Sequence, residues 1–222
     1  MLKFLKYLLS LLLFILVLVF LYHQYSLNKE KKLLTSSIGQ RVEVDGKQMN
    51  VYVAGNGPKT LVFLSGSGTS SPILDFKSLY SKLVKDYRVV VVEKFGYGFS
   101  DDWSKDRDLD TILSQTRKAL QKADVKGPYV LLPHSMSGLE AMHWSASYPK
   151  EVEAIIGLDM SLPQAFDKYR ANQLLYKTLQ LAANLGLSRW LYSPDKEIHS
   201  LSNDSLNLKE RSIYKALFYR RP

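Results

Sequence analysis

Cysteine is absent from the 222 residues, which excludes disulfides and thiolate metal centres. That absence leaves the compartment open, since the cytosol and the exterior of a bacterial cell both accept cysteine-free chains. Histidine is scarce, with four in the chain, and no cluster of histidine and carboxylate residues has the spacing of a metal or cofactor site, so none is expected. A concentrated basic face is missing too. The formal net charge is +9, but the positive residues are scattered, with Lys29, Lys31 and Lys32 near the N-terminus and Arg220-Arg221 as the only adjacent arginine pair. Without aromatic interleaving, such a distribution reads as a solvated surface, and nucleic acid is not an expected partner. No internal repeat or low-complexity tract is evident.

What the chain does have is a long uncharged run. Tyr7 to Tyr22 carries no charge, and Phe4 and Leu5 extend it past Lys6, so about 17 to 20 residues are available to cross a bilayer. No small-residue cleavage site follows, and residues 1–24 are expected to be an uncleaved single-pass anchor in the cell membrane. Lys3 and Lys6 oppose Lys29, Lys31 and Lys32, and the positive-inside rule gives no firm orientation; an extracytoplasmic domain is the expectation. Residues 25–40 turn polar and read as a linker that lifts the domain off the membrane.

From residue 41 the chain alternates between strand and helix patterns. Arg41–Val44 and Gln48–Val53 flank Asp45-Gly46, a pair suited to a hairpin turn. Strands are predicted at Thr60–Leu64, Tyr87–Val92, Tyr129–Leu132 and Val152–Leu158, the last ended by Asp159, with helices at Asp75–Lys85, Leu109–Ala123 and after Ser135. The valine run Val89–Val92 suits a parallel strand covered on both faces. A hairpin leading into this alternation predicts an α/β domain with a mostly parallel sheet. Residues 164–222 read as helices only, Gln164–Leu187 and Lys209–Tyr219, around a loop at Ser193-Pro194-Asp195, and together form a cap-like segment over the sheet.

Three loops carry the chemical signal. Ser65-Gly66-Ser67-Gly68, Phe95-Gly96-Tyr97-Gly98-Phe99-Ser100 and Pro133-His134-Ser135-Met136-Ser137-Gly138 each follow a predicted strand. In the last, Ser135 lies where strand becomes helix, a turn that exposes the hydroxyl and points helix N-terminal amides at developing negative charge. In type and order the three loops resemble the oxyanion loop, the G-x-G-x-S turn and the nucleophile elbow of the α/β-hydrolases. Residues 41–163 resemble the earlier part of that fold. Pro133 and Ser137 stand where the family's G-x-S-x-G has glycines.

The resemblance implies a serine hydrolase acting on a small-molecule ester, amide or similar acyl substrate. Ser135 would be the nucleophile, the amides of Met136 and of the loop near Ser67 would form the oxyanion hole, and Asp159 would be the triad acid. The family's base follows the last strand, and no such strand is visible. His134 adjoins the nucleophile, His143 lies on the next helix, His23 borders the membrane segment and His199 falls in the polar tail. The chain therefore reads as a hydrolase incomplete toward its C-terminus. Two alternatives remain: a hydrolase-fold scaffold without turnover, and a dinucleotide-binding protein that uses Gly66-Ser67-Gly68 for phosphate and Glu93 for ribose.

Overall fold

The computed structural model describes residues 2–166, 172–203 and 205–220. The chain opens with helix α1 (Leu2–Glu30) and a short 3-10 turn at Lys31–Leu34. Strands β1 (Gln40–Val44) and β2 (Lys47–Ala54) then form the expected hairpin, with Asp45 at φ 51° and Gly46 at φ 78°. Two consecutive positive φ values make the tight turn whose twist matches the flanking strands.

Strands β3 (Thr60–Leu64), β4 (Arg88–Glu93), β5 (Tyr129–Ser135) and β6 (Val152–Ile155) complete the order β1-β2-β4-β3-β5-β6. The hairpin edge is antiparallel, and the β4-β3-β5-β6 pairings are parallel. Alternating residues of β3 and β4 feed opposite faces. Val62, Leu64, Val90 and Val92 pack under helix α4 (Leu109–Lys122) and helix α5 (Ser137–Ser147), while Leu61, Phe63, Val89 and Val91 pack under α2 (Pro72–Asp75) and α3 (Lys77–Leu83). Burial on both faces is why these strands read as continuous apolar runs.

The structure departs from the sequence-based expectation in several places. Instead of the one helix expected over Gln164–Leu187 it holds a 3-10 turn at Pro163–Phe166 and a helix at Gln173–Asn184. The helix expected over Asp75–Lys85 is two helices broken at Phe76, whose N–H closes the first on Pro72 and Leu74 carbonyls. The strand expected over Val152–Leu158 is likewise two: β6 pairs with Tyr129–Leu131, and β7 (Leu158–Met160) pairs with the far end of β5. Asp159 therefore lies inside β7, at φ 50°, and does not end a longer strand.

The cap holds a 3-10 turn at Pro163–Phe166 and four helices: α6 (Gln173–Asn184), α7 (Ser188–Leu191), α8 (Asp195–Ser202) and α9 (Leu208–Arg220). Residues 167–171 of the expected cap helix lie outside the described residues. Residues 195–202, expected as loop, are helical: Pro194 precedes a first turn carrying Asp195 and Glu197, which face the positive end of the helix dipole. Residues 25–30, expected as part of a linker, continue α1, which packs on the cap through α9.

Candidate active site

β5 ends at Ser135 and α5 begins at Ser137, so Ser135 occupies the strand-to-helix turn. Its φ is 52°, a left-handed conformation that costs a residue with a Cβ of order 1 to 3 kcal/mol and persists only where surroundings enforce it. Three contacts enforce it. The Ser135 carbonyl accepts from Ser161 N at 2.8 Å. The Ser137 hydroxyl bridges the Leu64 and His134 carbonyls at 2.7 and 2.8 Å, tying α5 to the end of β3. At Gly138 a Cβ would lie 2.3 Å from the Ser161 carbonyl, so the close approach of α5 to the chain beyond β7 requires glycine there. Pro133, in place of a family glycine, is buried within β5 opposite Leu64.

The loop after β3 crosses directly over this turn. A Cβ on Gly66 would sit 2.8 Å from Ser135 Cβ and 3.3 Å from its Oγ. The neighbouring Ser67 is exposed, as is Met136. Among the described residues neither amide donates to a backbone or side-chain acceptor. Two amides without a partner among the described residues thus lie in the segments next to the half-buried Ser135, one of them opening the α5 helix.

The G-x-G-x-S turn serves the loop from behind. Glu93, fully buried at the end of β4, accepts from Phe99 N at 2.7 Å, Asn50 Nδ2 at 2.9 Å and Ser71 Oγ at 3.2 Å. Burial holds its pKa above the ordinary carboxylate range, with these hydrogen bonds offsetting part of the rise. Gly98 packs so closely that a Cβ would collide with the carboxylate at 2.0 Å. Glu93 is therefore enclosed and cannot reach a ribose, and Gly66 lies against Ser135 where a pyrophosphate would have to sit. The dinucleotide reading fails on both counts.

A second buried polar group lies outside the three sequence motifs. Lys94 donates to the Ser65 carbonyl at 3.0 Å and pairs with Glu140 of α5, whose other oxygen accepts from Thr116 of α4 at 2.9 Å. All three side chains are buried. The network links the oxyanion-type loop to the helix that carries the elbow. Its sequence signal was a lysine directly after an apolar strand and a glutamate between Gly138 and Ala141, each a charge where burial is expected.

Cavities of about 440 and 500 Å³ flank the loop. One is lined by Gly66, Ser67, Lys94, Arg107 and Met136; the other lies between Gly68 and Ser70 and the cap residues Tyr176, Leu179 and Phe218. A larger one, about 660 Å³, sits at the opposite ends of the strands around Val125 and Glu151, away from the serine.

No histidine meets Ser135, whose hydroxyl makes no hydrogen bond among the described residues. His134 sets its ring edge-on to Phe76 at 6.3 Å, His143 Nε2 lies 2.7 Å from Asp110 Oδ1, and His23 is buried between α1 and α7. His199 lies on α8. Asp159 is exposed, flanked in β7 by Leu158 and Met160, which pair with His134 and Ser135; its carboxylate has no partner among the described residues.

Comparison with known proteins agrees with this architecture. The profile of the alpha/beta hydrolase fold matches residues 59–209, and the chain belongs to the α/β-hydrolase fold family. It is 44% identical over 214 residues to the uncharacterized protein YbdG of Bacillus subtilis, covering 95% of this chain and 66% of that protein. A weaker likeness, 24% over 124 residues, is to a 2-(acetamidomethylene)succinate hydrolase of Mesorhizobium japonicum, covering 56% of this chain and 43% of that enzyme. Among solved structures, a thioesterase domain from the curacin biosynthetic pathway superposes with a TM-score of 0.56 at 20% identity, covering 83% of this chain and 68% of that one. The chain thus spans about two thirds, or less, of the length of these relatives.

Proposed function

We propose that the protein is a membrane-anchored serine hydrolase that cleaves an ester, amide or similar acyl substrate. The observation that carries this reading is the strained Ser135 turn, with Gly66 pressed against its hydroxyl and the free Ser67 and Met136 amides beside it. Ser135 Oγ gives its proton to a base that the described residues do not bring to it and attacks the acyl carbonyl. The oxyanion that forms is met by those two amides, each worth about 3 kcal/mol in the transition state. Its collapse expels the leaving group with that proton, after which water hydrolyses the acyl-enzyme. Lys94 and Glu140 keep the loop and α5 in register for that purpose. Asp159 remains the proposed acid, open to a histidine that the described residues do not bring to it. α1 is the proposed anchor, since among the described residues one helix is long and apolar enough to cross a membrane and none of its most apolar window is buried. The domain is proposed to lie on the extracytoplasmic side.

A fluorophosphonate reagent tests the nucleophile. Covalent labelling of the wild type and none of Ser135→Ala supports a live serine; equal labelling of both sinks the assignment. The unpartnered Ser135 hydroxyl favours one second reading, a scaffold without turnover, because a serine without its base keeps little beyond the oxyanion donors. Absence of labelling in a folded wild type would select it.

A further inference from the structure

The polar end of α1 does not stand free. Gly186, between α6 and α7, packs so closely that a Cβ there would lie 2.5 Å from His23 Cβ and 3.3 Å from the Val19 carbonyl. Arg189 of α7 grips Glu30 with two bonds of 2.7 and 2.5 Å and donates to His23 Nδ1 at 2.9 Å, its guanidinium 4.2 Å from the centre of the Tyr219 ring. Trp190 meets Tyr22 with ring centroids 5.9 Å apart. The α7 segment therefore rides along α1 from Val19 to Glu30.

Depth makes this contact informative. A helix needs about 20 residues, at about 1.5 Å each, to cross roughly 30 Å of hydrocarbon. Phe4, Leu5 and the uncharged run from Tyr7 to Tyr22, bounded on one side by Lys3 and Lys6, supply such a span, and it ends close to Tyr22. Were the cap held wholly above the headgroups, the span would have to stop short of Val19 and would be too short to cross. The contacts at Val19 and Tyr22 instead put Gly186 and Trp190 at the edge of the hydrocarbon. The surface they carry fits that depth. Leu174 and Leu181 on α6 and Trp190 and Leu191 on α7 are 76%, 60%, 65% and 81% exposed. An exposed apolar patch of this kind marks a contact surface, and the tryptophan and tyrosine belong at a bilayer interface. Lys29, Lys31 and Lys32 follow at the level where lipid headgroups would meet them.

We propose that the α6–α7 face of the cap is a second membrane contact, seated in the interfacial layer of the bilayer beside α1. The proposal rests on the reading of α1 as a membrane span. Its occupant is lipid, because the face is continuous with the apolar surface of α1 through Tyr22 and Trp190.

The cysteine-free chain allows a direct test. Single cysteines at Leu181→Cys, Leu191→Cys, Phe14→Cys and Lys122→Cys carry an environment-sensitive nitrobenzoxadiazole dye, and the full chain is reconstituted in phosphatidylcholine/phosphatidylglycerol vesicles with or without spin-labelled lipid. Leu181 and Leu191 are exposed, so cysteine there leaves the docking contacts intact. Dyes at 181, 191 and 14 are expected to be quenched several-fold by the spin-labelled lipid, and the dye at 122, at the end of α4, to be unaffected. Dyes at 181 and 191 that behave like 122 while 14 is quenched overturn the proposal and leave the anchor standing. Blue-shifted but unquenched dyes there mean that polypeptide covers the face, which also overturns it. An unquenched dye at 14 removes the anchor and the proposal together.

Discussion

Trp144 and Tyr214 are both almost completely buried aromatics, one under the sheet and one under the cap, and their surroundings differ in kind. Trp144 packs on Tyr129 at 5.6 Å within a large apolar cluster that includes Val62, Val90, Leu120 and Leu131, with a single polar contact, its indole N–H to Glu151 at 2.9 Å. Tyr214 shares a smaller cluster with Leu74, Ile198, Ile213 and Leu217, and its hydroxyl lies within reach of two carboxylates, Glu197 at 3.2 Å and Asp75. Around that cluster run polar ties: Lys77 to Glu210 at 2.5 and 2.6 Å, Lys215 to Asp195, and Arg220 to the Gly98 carbonyl at 2.7 Å. The sheet is held mainly by apolar burial, with its buried charges Glu93, Lys94 and Glu140 gathered near the strand ends beside Ser135. The cap is held by a modest apolar patch plus titratable groups, so its docking is the part of the molecule that solution conditions can loosen.

The largest effect that sharpens this contrast is expected from Trp144→Ala. Removing a fully buried tryptophan costs about 3 to 5 kcal/mol, and the loss should appear in the main cooperative transition, as a lowered denaturant midpoint of the full chain in detergent. Leu217→Ala removes a smaller buried side chain from the cap patch, at about 2 to 4 kcal/mol. Its effect should be local: faster hydrogen exchange in α8 and α9 with β3, β4 and β5 unchanged. If Leu217→Ala loosened the sheet as much as the cap, the distinction between the two regions would be wrong.

The titratable side of the contrast centres on Asp75. Its Oδ1 is buried without a hydrogen-bond partner, and burial, with Glu197 and Glu93 nearby, pushes its pKa up to about 8 against an opposing hydrogen bond from Tyr214. One phenolic proton cannot serve two carboxylates, so Asp75 keeps its own. In the folded state it therefore stays protonated over a range where the undocked carboxyl is ionised. A group with a raised acid pKa stabilises least at high pH: docking is undiminished below the ordinary carboxylate range, weakens as pH rises from about 4 to about 8, and levels off above that. The slope is at most about 1.4 kcal/mol per pH unit. Exchange protection of α9 should fall across this window in the wild type and stay flat in Asp75→Asn.

Legibility from sequence follows the same division. The sheet could be read because its forces leave periodic traces: the Val89–Val92 run, the Asp45-Gly46 turn and the three loops at strand ends all stand where they were expected. Gly66, Ser67 and Met136 line one cavity beside Ser135 because one local turn and one neighbouring strand place them. The cap and its attachments could not be read in this way. Arg189 finds Glu30 across 159 positions of sequence, and Lys77 finds Glu210 across 133; no local pattern encodes such pairs. The break between β6 and β7 was hidden for a related reason, since an apolar run does not show where its partner strand changes register.

The smallest effect tests the local end of that scale. Asp108 caps α4, its Oδ1 accepting from Thr111 N at 2.7 Å, and this bond holds the exposed carboxyl below its ordinary pKa. Asp108→Ala leaves an orphan amide and should lower stability by less than either core truncation. Because α4 packs on the sheet-face cluster and carries Thr116, the loss should register in the main transition and leave the exchange protection of α9 untouched. Asp108→Asn, which keeps the acceptor without the charge, should recover most of it. The sign with pH is opposite to that of Asp75: a depressed carboxyl pKa gives stability that is present at neutral pH and lost as acid protonates the cap. The contributions of the two aspartates would then run in opposite directions with pH, rising for Asp108 at the start of α4 and falling for Asp75 under the cap as the solution moves from acid toward neutral.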